Sequence, residues 1–118
     1  MSELSFSTHN SAGITVIKVS GKLDGTGNEA LDSFIKSARH APDDLLVFDL
    51  SELEFLDSTG LRALLDAYSC AVRHGANVYF ASLQDEPARL FSATGLDTVL
   101  PVHASVAEAL HEASRPAA

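Results

Sequence analysis

The chain has 118 residues, 46% of them hydrophobic and 20% charged, a length that fits one domain with a core of its own and leaves little room for a second. Eight Lys and Arg stand against 16 Asp and Glu, for a formal net charge of −8. The basic residues are scattered (Lys18, Lys22, Lys36, Arg39, Arg62, Arg73, Arg89, Arg115), so no stripe tracks phosphates and neither nucleic acid nor an anionic membrane is an expected partner.

The first pattern is Leu4-Ser5-Phe6, followed by the turn-forming Asn10-Ser11-Ala12-Gly13 and the β-branched run Ile14-Thr15-Val16-Ile17-Lys18-Val19-Ser20-Gly21. This predicts an antiparallel hairpin with a somewhat long loop. After Asp24-Gly25-Thr26-Gly27 the period changes: Leu31, Phe34, Ile35 and Ala38 share one helical face, Thr26 and Glu29 have capping-box spacing, and His40-Ala41-Pro42 ends the helix. Leu45-Leu46-Val47-Phe48-Asp49-Leu50 is an almost unbroken apolar run, as expected of a strand covered on both faces by helices, or by a helix and a dimer partner.

A second helix is predicted from Ser58, with Leu61, Leu64, Leu65, Tyr68 and Val72 on its apolar stripe and Gly75 as a left-handed C-cap. Ala63, Ala67 and Cys70 form a second face of small residues, open to solvent or part of a contact surface. Val78–Leu83 reads as a strand, Asp85 to Thr94-Gly95 as a short helix, and Val99-Leu100 as a small edge strand beside Pro101. Ser105 is placed to cap a last helix through Val106, Ala109 and Leu110, before a frayed tail over 113–118. Strands alternating with helices predict an α/β fold whose mixed sheet is parallel at its centre and antiparallel at one edge.

Cys70 is the sole cysteine, which rules out an intrachain disulfide and a multi-cysteine zinc site; the five histidines form no HExxH or HxxxH pair. No metal or cofactor is expected. The first residues lack a basic segment leading into an apolar one, and no run approaches the ~18 apolar residues of a membrane span, so a cytoplasmic protein is expected.

The sharpest local feature is Phe55-Leu56-Asp57-Ser58-Thr59-Gly60-Leu61, which delivers two hydroxyls and a carboxylate to a helix N-terminus. Either Asp57 or Ser58 serves as the N-cap. The same place suits a phosphate on Ser58, with backbone N–H groups and the positive end of the helix dipole facing it and Gly60 leaving the approach open. Asp57-Ser58-Thr59-Gly60 is not a G-x-S-x-G elbow, and Gly25-Thr26-Gly27 lacks the Lys-Ser/Thr of a phosphate-binding loop. No catalytic residue is expected, and the chain is not expected to be an enzyme. The turn carboxylates Asp43-Asp44 read as solvated.

The segment Val47–Leu61 resembles the central signature of STAS domains, the anti-sigma factor antagonist family. Val19-Ser20-Gly21-Lys22-Leu23-Asp24 is similar to that family's strand ending in Gly-x-Leu-Asp. Ala88-Arg89-Leu90-Phe91-Ser92-Ala93-Thr94-Gly95-Leu96-Asp97 is similar to its later helix, and Val106–Leu110 to the one after. The resemblance spans about residues 4–112. It implies a single STAS-type domain over 1–118, with about four helices packed mainly on one face of the mixed sheet. It also implies partner switching: the unphosphorylated antagonist binds an anti-sigma factor that is itself a serine kinase, frees a sigma factor, and is switched off by phosphorylation. A serine phosphatase resets it. Carried over, Ser58 matches the phosphoacceptor, with Thr59 the adjacent alternative hydroxyl, and Asp57 its acidic neighbour. Thr59, Gly60 and Leu61 match the start of the partner-docking helix, and Asp24 the loop aspartate beside it. The Gly25-Thr26-Gly27 loop departs from the family's bulkier pattern, which bears on partner choice and nucleotide contact. The competing expectation is a constitutive STAS scaffold subunit in a stress-signalling or lipid-transport assembly, packed through the small-residue face.

Overall fold

The computed structural model describes residues 3–11, 13–38 and 45–114. Its strands are β1 (Ser5–Ser11), β2 (Ile14–Leu23), β3 (Leu46–Asp49), β4 (Leu53–Leu56), β5 (Val78–Ala81) and β6 (Val102–His103). Its helices are α1 (Asn28–Ala38), α2 (Ser58–Arg73), α3 (Asp85–Ala93) and α4 (Val106–Ala113), with single 3-10 turns at Gly25–Gly27 and Leu96–Thr98. The sheet runs β1-β2-β3-β5-β6, with β4 also on β2. Among the described residues only β1–β2 is antiparallel, and every other pairing is parallel. The predicted α/β class and mixed sheet are therefore what the chain forms.

The strand pleat sends alternate side chains to opposite faces. Ile17, Val19, Leu46, Phe48, Val78 and Phe80 meet α1, α2 and α3 in the main core. There Phe48 stacks on Phe80 at 5.6 Å between ring centroids, and Phe91 of α3 meets Phe80 edge-on at 6.0 Å. On the other face α4 lays Ala109 and Ala113 over Ile14, Val16, Val47 and Ala81. Three helices thus share one face and α4 alone covers the other, which explains the unbroken apolar run in β3: both its faces lie under helices.

β2 organises the sheet. Its first half pairs with β3, its last residues with β4, and the register shifts between Gly21 and Lys22. At Gly21 φ is +93°, and an added Cβ would collide with the Glu3 carbonyl, so only glycine fits there. The link between β3 and β4 is fastened residue by residue. Leu50 N–H donates to Ala81 O (2.9 Å), Ser51 N–H to Asp49 Oδ1 (3.1 Å) and Gly21 N–H to Glu52 O (2.9 Å), while Gln84 Nε2 donates to Ser51 O (2.7 Å). Across that link Lys18 Nζ meets Glu52 Oε2 at 2.6 Å, and each group favours the charged form of the other.

Several expectations are corrected. β1 extends to Ser11, leaving a shorter hairpin loop than expected; as an exposed edge strand its polar residues hide its period. Leu53–Leu56, which no hydrophobic period marks in the sequence, is a strand because β2 offers it a partner. The small edge strand lies after Pro101 and not at Val99-Leu100, which close a 3-10 turn: Leu100 N–H returns to Leu96 O at 2.8 Å and its side chain is buried. Val72 is 48% exposed, and Ala71 takes its place on the buried stripe of α2. Ala113, expected in the frayed tail, is a buried residue of α4, and Ser114 is that helix's C-cap. The expected helix stop at His40–Pro42, the Asp43-Asp44 turn, Ala12 and the tail over 115–118 lie outside the described residues.

Candidate functional site

Two loops that leave neighbouring parallel strands meet at one end of the sheet. β2 ends at Leu23 and delivers Asp24; β4 ends at Leu56 and delivers Asp57. Each aspartate does the same thing through one oxygen. Asp24 Oδ1 accepts from Thr26 N–H (2.9 Å) and from Thr26 Oγ1 (2.6 Å). Asp57 Oδ1 accepts from Gly60 N–H (2.8 Å) and from Thr59 Oγ1 (2.7 Å). Both are extended residues capping the turn that follows, and both use an Asp-x-Thr pattern, with Gly25 and Ser58 at the middle position.

The two turns are joined. Asn28 Nδ2 donates to Thr59 O (3.2 Å), Asp57 N–H reaches Leu23 O (3.4 Å), and a Cβ added to Gly25 would stand 3.2 Å from Thr59 Oγ1. The chain therefore brings Asp24, Asp57, Ser58 and Thr59 to one surface. Ser58 is the first residue of α2 and is exposed, and among the described residues no hydrogen bond holds its hydroxyl. The cap is Asp57, so Ser58 does not cap the helix. Nor does Thr26 form a capping box with Glu29, because its hydroxyl is turned back to Asp24.

Gly60 and Leu61 stand elsewhere. Gly60 is buried against the Leu23 carbonyl, so it seats the helix on β2 and does not open the approach to Ser58. Leu61 is 4% exposed and belongs to the main core. Sequence reasoning missed Asn28, the strut between the two turns; its only signal was an amide residue directly after Gly25-Thr26-Gly27. The small residues Ala63, Ala67 and Cys70 line, with Leu31 and Ile35 of α1, a groove of about 300 Å³ between α1 and α2.

The Thr59 hydroxyl and then the Gly60 N–H hold the Asp57 carboxyl below the ordinary carboxylate range. A group whose folded-state value is depressed contributes stability above its unfolded value and loses it as pH falls through the folded one. Asp57→Ala is therefore expected to cost about 1 kcal/mol at pH 7, the usual worth of an N-cap. Urea titrations in steps down from pH 7 check it: the difference from the unaltered chain should narrow below the ordinary carboxylate range. A difference that stays constant to strong acid would mean the charge on Asp57 plays no part.

Among the described residues no group of three or more His, Cys, Asp or Glu is placed to hold a metal ion, and no helix is long and apolar enough to cross a membrane. The family model for the STAS domain matches residues 5–109. The chain belongs to the STAS domain family. An anti-sigma F factor antagonist of Paenibacillus polymyxa is 25% identical over 101 residues, which cover 85% of this STAS chain and 86% of that protein. The crystal structure of an anti-sigma factor antagonist from Mycobacterium paratuberculosis superposes with a TM-score of 0.86 at 26% identity, over 96% of each chain. The Bacillus cell fate determinant SpoIIAA, solved in its phosphorylated form, shares the fold at 18% identity, with a TM-score of 0.66 over 92% of this STAS chain and 98% of that one.

Proposed function

We propose that this STAS protein is an anti-sigma factor antagonist switched off by phosphorylation of Ser58. One observation carries the reading. Of the two adjacent hydroxyls, Thr59 Oγ1 is committed to Asp57 while Ser58 is exposed and, among the described residues, held by no hydrogen bond. A kinase can reach Ser58 without disturbing Asp57, whereas modifying Thr59 would break its hydrogen bond to the capping carboxylate. The relatives support the rest of the reading, being antagonists of anti-sigma factors.

In the unmodified state the surface around Asp24, Asp57, Ser58 and Thr59 docks on an anti-sigma factor, in the cytoplasm, and a sigma factor is released. Gly60 and Leu61 contribute by fixing where α2 begins. The anti-sigma factor is also the serine kinase and holds the ATP. The Ser58 oxygen attacks the γ-phosphorus, an O–P bond forms, the bond to the β-phosphate oxygen breaks, ADP leaves, and the serine proton passes to the kinase. The STAS protein is a substrate here and not a catalyst. The phosphate adds nearly two negative charges beside ionised Asp57, and the partner surface is repelled. A serine phosphatase restores the hydroxyl by hydrolysis.

Phosphopeptide mapping of the protein from its native cells, in growth and under stress, tests this. The expected result is a fractional phosphate on Ser58 that changes with conditions. Phosphate on Thr59 instead, or none in any condition, would overturn it, and an unmodified chain held always in a large complex would favour the scaffold reading.

A further inference from the structure

We propose that Arg62 is a phosphate latch: once Ser58 is phosphorylated, the Arg62 guanidinium leaves Asp66 and pairs with the phosphate. This rests on the reading of Ser58 as phosphoacceptor and adds the residue that holds the modified state.

Ser58 and Arg62 are positions i and i+4 of α2, both exposed. At that spacing Cβ atoms lie about 5–6 Å apart on one helix face, and an anion N-terminal to a cation is the favourable order. The present partner of Arg62 holds it loosely. Its Nε stands 3.6 Å from Asp66 Oδ1, beyond hydrogen-bond length, with the two side chains 75% and 69% exposed. A phosphoserine offers nearly two charges and three acceptor oxygens to a guanidinium whose planar fork suits them, so the exchange runs toward the phosphate.

The neighbourhood favours such a cation. A phosphate on Ser58 would sit beside the ionised Asp57 and close to the Asp24 turn. Over 58–65, the first two turns of α2, Arg62 is the only charged residue. The exchange also reaches the groove between α1 and α2, whose lining includes Asp66, Glu29 and the Lys36–Asp32 ion pair. Asp66 loses its cation when Arg62 turns to the phosphate, so one modification adds charge at Ser58 and leaves Asp66 of the groove without its arginine.

The test uses the full chain synthesised with phosphoserine already at position 58, so no kinase is involved, and follows the phosphate by ³¹P NMR across pH. With Arg62 present, the second acid dissociation constant of the phosphate is expected to be about two- to fivefold larger than in Arg62→Gln. Arg62→Lys should recover part of the difference, and high salt should shrink it. A general serine phosphatase should clear the phosphate faster from Arg62→Gln. Thermal unfolding of the unmodified chain should be nearly the same with and without the substitution, since an exposed i,i+4 pair contributes little to stability. Superimposable ³¹P titrations for the two chains would overturn the latch. The peptide map from native cells fails or succeeds separately, because it asks only whether Ser58 is modified there.

Discussion

Gly60→Ala is expected to destabilise the protein by about 3 kcal/mol, a large part of the total for a domain of this size. Gly60 lies in the first turn of α2 and is buried. A Cβ there would collide with the Leu23 carbonyl oxygen and stand 2.9 Å from the Leu23 carbonyl carbon and 3.0 Å from Leu56 Cδ1. Two of those three atoms are main chain and cannot rotate away. The helix must back off from the end of β2, which stretches the Asp57 N–H contact to Leu23 O and separates the Asn28 amide from Thr59 O. Loss of stability and loss of partner binding should therefore come together. Urea unfolding of the single variant is the measurement, and an unchanged midpoint would show that the close approach is not required.

Ser58→Asp is expected to behave in the opposite way: anti-sigma factor binding falls about a hundredfold while the fold stays within about 0.5 kcal/mol of the unaltered chain. An acidic residue in the first turn of a helix faces the positive end of the dipole and is tolerated or mildly stabilising. In the proposed complex the partner surface also meets Asp57 and Asp24, and the same charge brought against it costs several kcal/mol of affinity. Ser58→Ala is the control, expected to bind normally and to resist the kinase. Titration calorimetry with the purified anti-sigma factor separates these. Binding by Ser58→Asp at the affinity of the unaltered chain would show that charge at this position does not control the interaction.

Much of the fold was legible because it is written in local periods. β2, β3 and the apolar stripes of α1 and α2 come from runs of residues whose spacing alone decides their face. The Gly75 cap was legible too, since a left-handed residue after a helix has few substitutes. What the sequence hid depends on partners distant along the chain. β4 has four residues, Leu-Glu-Phe-Leu, and is a strand only because β2 lies alongside. β1 alternates polar with polar once it passes Phe6, so no hydrophobic period marks its length. The candidate site splits the same way. Asp57, Ser58 and Thr59 stood out as neighbours in sequence, and Asp24 was joined to them only through family resemblance. The division of labour among them is tertiary. Asp57 is the cap, Thr59 its hydroxyl partner and Ser58 the exposed group, while Gly60 faces inward because of a carbonyl on another strand.

The continuous attachment of Leu50, Ser51 and Glu52 has a consequence for how this domain can change length. Leu50 is tied to β5, Ser51 to β3 through its N–H and to the start of α3 through its carbonyl, and Glu52 to β2. An extra residue in that link would slide β4 by one position along β2. By the alternation of the strand it would turn Leu56 outward and rotate Asp57 and Ser58 off the surface they share with Asp24. Gly13 at the β1–β2 turn is exposed and has no heavy atom within 4 Å of where a Cβ would stand. Inserted residues there would hang into solvent and leave the register of β2 untouched. Related chains that keep the Ser58 surface should therefore vary in length at the hairpin tip and hold the span from β3 to α2 constant.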